Sequence, residues 1–106
     1  MNPETILQNQ IRAALSEAVL FRANVGRFYT EDGRPIKIGE PGFPDLHGHR
    51  RSDGKAVYIE VKLPGQYPTK KQREMLTALV RSGALVGVAR SIEDARGIVK
   101  GELRWE

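Results

Sequence analysis

The sequence predicts an α/β domain, a mixed β-sheet flanked by helices in the order α-β-β-β-α-β-α. Three observations predict it. Apolar residues at helical spacing open the chain and recur after Thr69 and after Ser91. Between the first two helices lie extended stretches separated by turn residues. A short apolar run, 84–89, divides the last two helices. Hairpin-linked strands followed by helix, strand and helix make a sheet with both antiparallel and parallel neighbours.

The first helix starts with Asn2 as its cap and Pro3 in its first position. Ile6, Leu7, Ile11, Ala14, Leu15, Ala18 and Val19 recur at helical spacing. At roughly 100° per residue, Leu7, Ile11, Ala14, Leu15 and Ala18 share one face. Glu4 falls on that face one turn ahead. An acid there is either a helix-start charge favoured by the dipole or a residue of a site.

Residues 20–25 alternate apolar and polar, as a half-buried strand does. Residues 27–30 follow Gly26, then turn chemistry at 31–35 with Asp32-Gly33 at its centre, then a short strand at 36–38. Residues 39–44 are a loop punctuated by glycine and proline. Residues 45–50 can be extended and 51–55 read as a hairpin turn. Residues 56–63 are the clearest strand: Val57, Ile59, Val61 and Leu63 face one way, and Tyr58, Glu60 and Lys62 the other. Thr69 and Gln72 match a capping box at the start of the second helix, with Met75, Leu76, Leu79 and Val80 on its apolar face. Gly83 suits its end. Ser91 caps a third helix that Gly101 closes. Leu103 and Trp105 can pack the tail onto the core or onto a second subunit.

At 106 residues the chain is expected to form one domain, 1–106, around a single core. No apolar run approaches the ~20 residues of a membrane span. Met1-Asn2-Pro3-Glu4 lacks the basic start and apolar stretch of a signal peptide, and there is no cysteine, so a cytoplasmic protein is expected (host cytoplasm for a phage-encoded one). The missing cysteines exclude disulfides, thiolate nucleophiles and cysteine-ligated zinc. A formal net charge of +4 favours polyanionic partners, nucleic acid foremost.

The stretch from Asp45 to Lys62 can carry chemistry. Cutting a phosphodiester calls for a hard divalent cation, and magnesium takes oxygen ligands, usually one or two carboxylates with waters and the substrate. Two acids must therefore converge, with a side-chain cation nearby. If Asp53-Gly54 is a two-residue turn, Asp45 lies opposite Lys62, with Glu60 its diagonal neighbour roughly 7–8 Å away. A longer loop sets Asp45 directly opposite Glu60. Either register can gather Asp45, Glu60 and Lys62. Taken singly, Glu60 and Lys62 are what any solvent face of a strand displays. His47 and His49 share a strand face and read better as exposed or phosphate-contacting residues than as metal ligands. No P-loop, dinucleotide fingerprint or Ser/His/Asp context is present. Arg22, Arg50, Arg51, Lys70, Lys71 and Arg73 fall near the proposed site. The helix start at 69–73 offers backbone N–H groups and cations to a phosphate, or is a solvated first turn.

Gly42-Phe43-Pro44-Asp45-Leu46, Ile59-Glu60-Val61-Lys62, the following Gly65 and Gln72 resemble the PD-(D/E)XK nuclease superfamily. The chain is most similar to its VRR-NUC branch, the virus-type replication-repair nuclease domain, in a stand-alone phage or bacterial form. The likeness takes in Glu4, residues 22–26, Gly39, Gly83 and residues 86–88. It implies a restriction-endonuclease-like sheet and an endodeoxyribonuclease hydrolysing phosphodiester bonds in branched DNA, such as Holliday junctions or flaps in DNA repair, as a homodimer. It implies that Asp45 and Glu60 hold Mg²⁺ or Mn²⁺, with the backbone carbonyl of Val61 as a further ligand. Lys62 would orient the attacking water, Gln72 would position substrate or water, and Glu4 would complete the acidic pocket, through a water. Gln72 has a competing role in the capping box. Arg22, Lys70, Lys71, Arg50 and Arg51 are the expected nucleic-acid contacts. The alternative is a DNA-binding module or nuclease-like accessory subunit without chemistry.

Overall fold

The computed structural model describes the backbone of residues 1–23 and 26–106, and the side chains of all of these but 26–28 and 36–38. Its elements are α1 (Pro3–Ala14), β1 (Ala18–Arg22), β2 (Gly26–Tyr29), β3 (Pro35–Ile38), β4 (Leu46–Arg50), β5 (Ala56–Val61), α2 (Lys70–Arg81), β6 (Leu85–Ala89) and α3 (Ile92–Lys100). Strands β1, β4, β5 and β6 form one sheet in that order, antiparallel except for the parallel pair β5–β6. Counting only this sheet, the order is α-β-β-β-α-β-α, as the sequence predicts. β2 and β3 form a separate two-stranded hairpin inserted after β1.

The caps are those the sequence marks. Asn2 accepts from the Thr5 amide at 2.8 Å. Thr69 and Gln72 form a reciprocal capping box, and Ser91 accepts from the Asp94 amide at 3.0 Å. Each such cap contributes about 1 kcal/mol. Gly101 ends α3 in the left-handed region at φ 78°.

One boundary differs from the sequence reading. α1 stops at Ala14, and Ala18 and Val19 are strand residues, not its continuation. The spacing of Ala18 is helical, but Ala18 and Leu20 are also the inward positions of β1, and pairing with β4 decides between the two periods. Of the strand predicted at 20–25, Asn24 and Val25 lie outside the described residues.

The main core gathers Ile11 of α1 and Leu15 at its C-cap, Leu46 of β4, alternate residues Val57, Ile59 and Val61 of β5, and Ala95, Ile98 and Val99 of α3. At about 1.5–3 kcal/mol for each fully buried large aliphatic side chain, this face supplies most of the drive to fold. α2 packs against β6. The tail joins these two: the Trp105 amide donates to Val86 O at 2.9 Å, and its indole Nε1 donates to Thr77 Oγ1 of α2 at 3.0 Å. Trp105 thus packs onto its own chain. At Gly48 a Cβ would stand 1.7 Å from Val19 O, so β1 lies across β4 where only glycine fits. No helix among the described residues is long and apolar enough to cross a membrane.

Candidate active site

The β4–β5 link decides which acids meet. The Arg50 amide donates to Lys55 O and the Gly54 amide to Arg50 O, both at 2.8 Å, so Arg50 and Lys55 bracket a four-residue loop. The strands then pair His49 with Ala56, His47 with Tyr58 and Leu46 with Ile59. One further step along this register brings Asp45 beside Glu60. This is the longer-loop alternative; the two-residue turn at Asp53-Gly54 does not form.

Asp45 immediately precedes β4. Its carbonyl accepts from the Ala23 amide at 2.9 Å, which fastens it to the end of β1. Its carboxylate Oδ2 accepts from the Val61 amide at 2.8 Å, across to the last residue of β5. The two strand ends are thereby tied through the acid itself.

Glu60 is 1% exposed, and its Oε2 is buried without a hydrogen-bond partner among the described residues. Burial pushes its carboxyl up to about 10. The neighbouring Asp45 adds to the rise, first as a hydrogen-bond partner and then by its charge, and Glu4 adds a little more. The Lys62 cation pulls the other way. Asp45, Lys62 and Glu4 are therefore each close enough to act on Glu60, although they come from the start of β4, the end of β5 and α1. Two carboxyls in a poorly hydrated site cannot both ionise without a compensating charge.

That is the chemistry of a cation site. An orphaned buried carboxylate oxygen beside a second carboxylate suits a hard divalent ion, and Mg²⁺ takes one or two carboxylates with the rest of its ligands from water and substrate. Among the described residues, no three His, Cys, Asp or Glu side chains group as metal ligands. Asp45 and Glu60 are the side chains that could hold an ion here, with Glu4 acting on Glu60 through charge.

Gln72 lies in the first turn of α2, where Oε1 accepts from the Thr69 amide at 2.9 Å. The capping box thus takes its carbonyl oxygen. α2 also abuts the loop leading to Asp45: at Gly42, φ 82°, a Cβ would stand 2.7 Å from Lys71 O and 3.1 Å from the Gln72 amide. Lys70 and Lys71 are exposed in the same turn.

Arg22 ends β1 opposite Leu46, next to Asp45. Its Nε donates to Gln8 Oε1 at 3.1 Å. Gln8 is only 8% exposed and lies one turn beyond Glu4 in α1. In the sequence alone Gln8 barely stands out. Its one signal is a polar residue four places after Glu4 on the side of α1 that carries Ile11 and Leu15.

Arg50 and Arg51 stand at the far end of β4 from Asp45. Arg50 grips Asp53 at 3.0 and 2.7 Å and donates to Val99 O, the end of α3, at 2.8 Å. The structure thus does not bring these two arginines to the acids. His47 packs against Phe21, tilted to it, and against Phe43, edge to face, with ring centroids 6.1 and 5.6 Å away. It belongs to an aromatic cluster that Tyr58 extends.

The family model of the VRR-NUC domain matches residues 4–93. The match takes in Glu4, Asp45, Glu60, Lys62 and Gln72. No curated protein matches the chain.

Proposed function

The chain belongs to the VRR-NUC domain family, whose function is nuclease-type DNA processing, and on that premise we propose that it is a Mg²⁺- or Mn²⁺-dependent endodeoxyribonuclease selective for branched DNA. The observation that carries this reading is the buried, unpartnered Glu60 Oε2 beside Asp45. In a site without chemistry, such an oxygen costs about 1–3 kcal/mol and returns nothing.

Asp45 and Glu60 would hold the cation, with the Val61 carbonyl and a Glu4-bound water as further oxygens. When bound, the cation neutralises the phosphate, lowers the pKa of a water and stabilises the leaving oxygen. The chain's own groups do the placing. Lys62, whose charge already bears on Glu60, orients the attacking water. Gln72, its carbonyl held by the Thr69 amide, turns its amide nitrogen to substrate. Arg22, Lys70 and Lys71 take backbone phosphates, a contact that fixes position and carries no base sequence. Recognition by phosphate and shape agrees with a branched substrate. A homodimer goes with it, because two-fold-related sites can cut two strands of one junction.

The test is cleavage of junction, flap and linear duplex DNA with and without Mg²⁺ or Mn²⁺. Metal-dependent product from the wild type, lost in Asp45→Ala and Glu60→Ala, supports the proposal. Activity untouched by both substitutions, or no metal-dependent product from the wild type, contradicts it. A binding module without chemistry would instead bind DNA in a salt-dependent way and be indifferent to metal.

A further inference from the structure

A cleft of about 520 Å³ opens beside the end of β6 and the loop that follows β5. Tyr67, Arg73, Arg90, Arg104 and Trp105 line it, and none of its lining residues is acidic. We propose that this cleft receives one unpaired nucleotide from a single-stranded arm of the DNA substrate, its base against the Tyr67 ring and its phosphate among the arginines. The inference rests on the nuclease reading and adds to it a place where the unpaired strand is held.

The exposure of Tyr67 and the way the walls are held carry it. Tyr67 is an aromatic left 77% exposed. It is not loose, because the Arg90 guanidinium lies 5.4 Å from its ring centroid, and Arg90 Nη2 donates to Gln66 O at 2.7 Å. On the other side of the loop, Arg73 Nη1 donates to Pro68 O at 2.8 Å. The ring is thus held in advance of any ligand, which lowers the entropy cost of stacking on it. Trp105 is also fixed, through Thr77 and Val86.

The volume and chemistry point to one kind of occupant. Small-molecule sites run from about 300 to 1,000 Å³. Three cations with aromatic and apolar walls suit a ligand that is anionic and has a flat π-face. A nucleotide is both, and base–aromatic stacking with arginine support is how unpaired strands are held without sequence preference. In duplex DNA the faces of the bases are already covered by their neighbours, so only an unpaired base can enter.

The cleft also lies at the reactive end of the sheet. The Lys62 amide donates to Ala89 O at 3.0 Å, and Arg90 is the next residue. Tyr67 lies five residues beyond Lys62 on the loop joining β5 to α2. A strand whose phosphate reaches Lys62 is therefore adjacent to this pocket.

Trp105 is the only tryptophan, so its emission reports on the cleft directly. The experiment titrates the whole chain with a thymidine hexamer, an abasic hexamer of equal charge, and free thymidine monophosphate. The thymidine hexamer should shift Trp105 emission saturably, and the abasic hexamer and the monophosphate should bind more weakly. Tyr67→Ala should weaken hexamer binding by about 5–150-fold, the range of one stacked base, while Tyr67→Phe stays within about threefold of wild type because it keeps the ring. Tyr67 is exposed, so neither change should lower the melting temperature appreciably. No emission change, an unaltered affinity in Tyr67→Ala, or equal binding of the abasic hexamer overturns the proposal. Cleavage separates it from the nuclease reading. Loss in Tyr67→Ala confined to substrates with a single-stranded arm supports the cleft. Equal cleavage of armed and fully paired substrates by Tyr67→Ala and wild type overturns it and leaves the nuclease intact. Tyr67-dependent hexamer binding in a wild type that cuts nothing supports the cleft and removes the nuclease.

Discussion

Asp45 Oδ2 accepts a hydrogen bond from the Val61 amide at 2.8 Å. This bond closes the open end of the β4–β5 pair and leaves the Asp45 carboxylate beside the buried Glu60 carboxyl. Asp45→Asn keeps an oxygen for the Val61 amide and removes the charge. It should fold like the wild type and lose at least about 100-fold in cleavage rate, since a cation's stabilisation of the transition state is worth several kcal/mol. Thermal melting and single-turnover cleavage check the two halves of this statement.

The raised Glu60 carboxyl sets a pH dependence. An acid whose folded pKa lies above its unfolded value favours the fold most at low pH, and this contribution falls as pH rises. For Glu60 the window runs from the ordinary carboxylate value of 4.5 to about 10. Without divalent metal, the wild type should lose stability across this range relative to Glu60→Gln, by up to about 1.4 kcal/mol per pH unit. Melting curves in chelator at pH 5.5 and 8.5 should show the two proteins diverging at the higher pH. Added Mn²⁺ should restore the wild type and leave Glu60→Gln unchanged.

Gln8 holds Arg22 at Nε, from a position only 8% exposed. Gln8→Ala should cost about 1 kcal/mol of stability through the lost hydrogen bond. Because the Arg22 guanidinium is then unguided, KM for DNA should rise more than kcat falls. Arg22→Ala should show the same signature more strongly and reduce the salt dependence of binding by about one unit.

Gly48 and Gly42 separate folding from activity. Gly48→Ala sets a methyl against the Val19 carbonyl, which is backbone and cannot swing aside. A loss of about 1–3 kcal/mol is expected by denaturant titration. Gly42→Ala instead strains a residue at φ 82° and presses the loop against Lys71 and Gln72. It too should cost stability, but unlike Gly48→Ala it should also fall on cleavage, because that loop delivers Asp45.

What the sequence reveals follows the range of the interactions. Thr69, Gln72 and Ser91 mark helix starts through contacts only three residues long, and these are legible. So is β5, whose alternation separates Val57, Ile59 and Val61 from Glu60. The end of α1 is not, because Ala18 and Val19 fit both a helix and a strand until β4 is in place. The meeting of Asp45 with Glu60 depends on whether the hairpin loop has two residues or four, and Asp53-Gly54 allows both. The partner of Gln8, Arg22, lies fourteen residues on, and Arg50 is drawn to Val99 at the end of α3, forty-nine residues on. Such pairings exist only once the sheet has formed.

The central claim is that Asp45 and Glu60 jointly hold one divalent cation. Anomalous diffraction from Mn²⁺-soaked crystals tests it most directly. The account predicts a single strong peak within about 2.0–2.3 Å of a carboxylate oxygen from each residue, absent from Glu60→Gln crystals treated in the same way. A peak held by neither residue, or one that persists unchanged in Glu60→Gln, would contradict it.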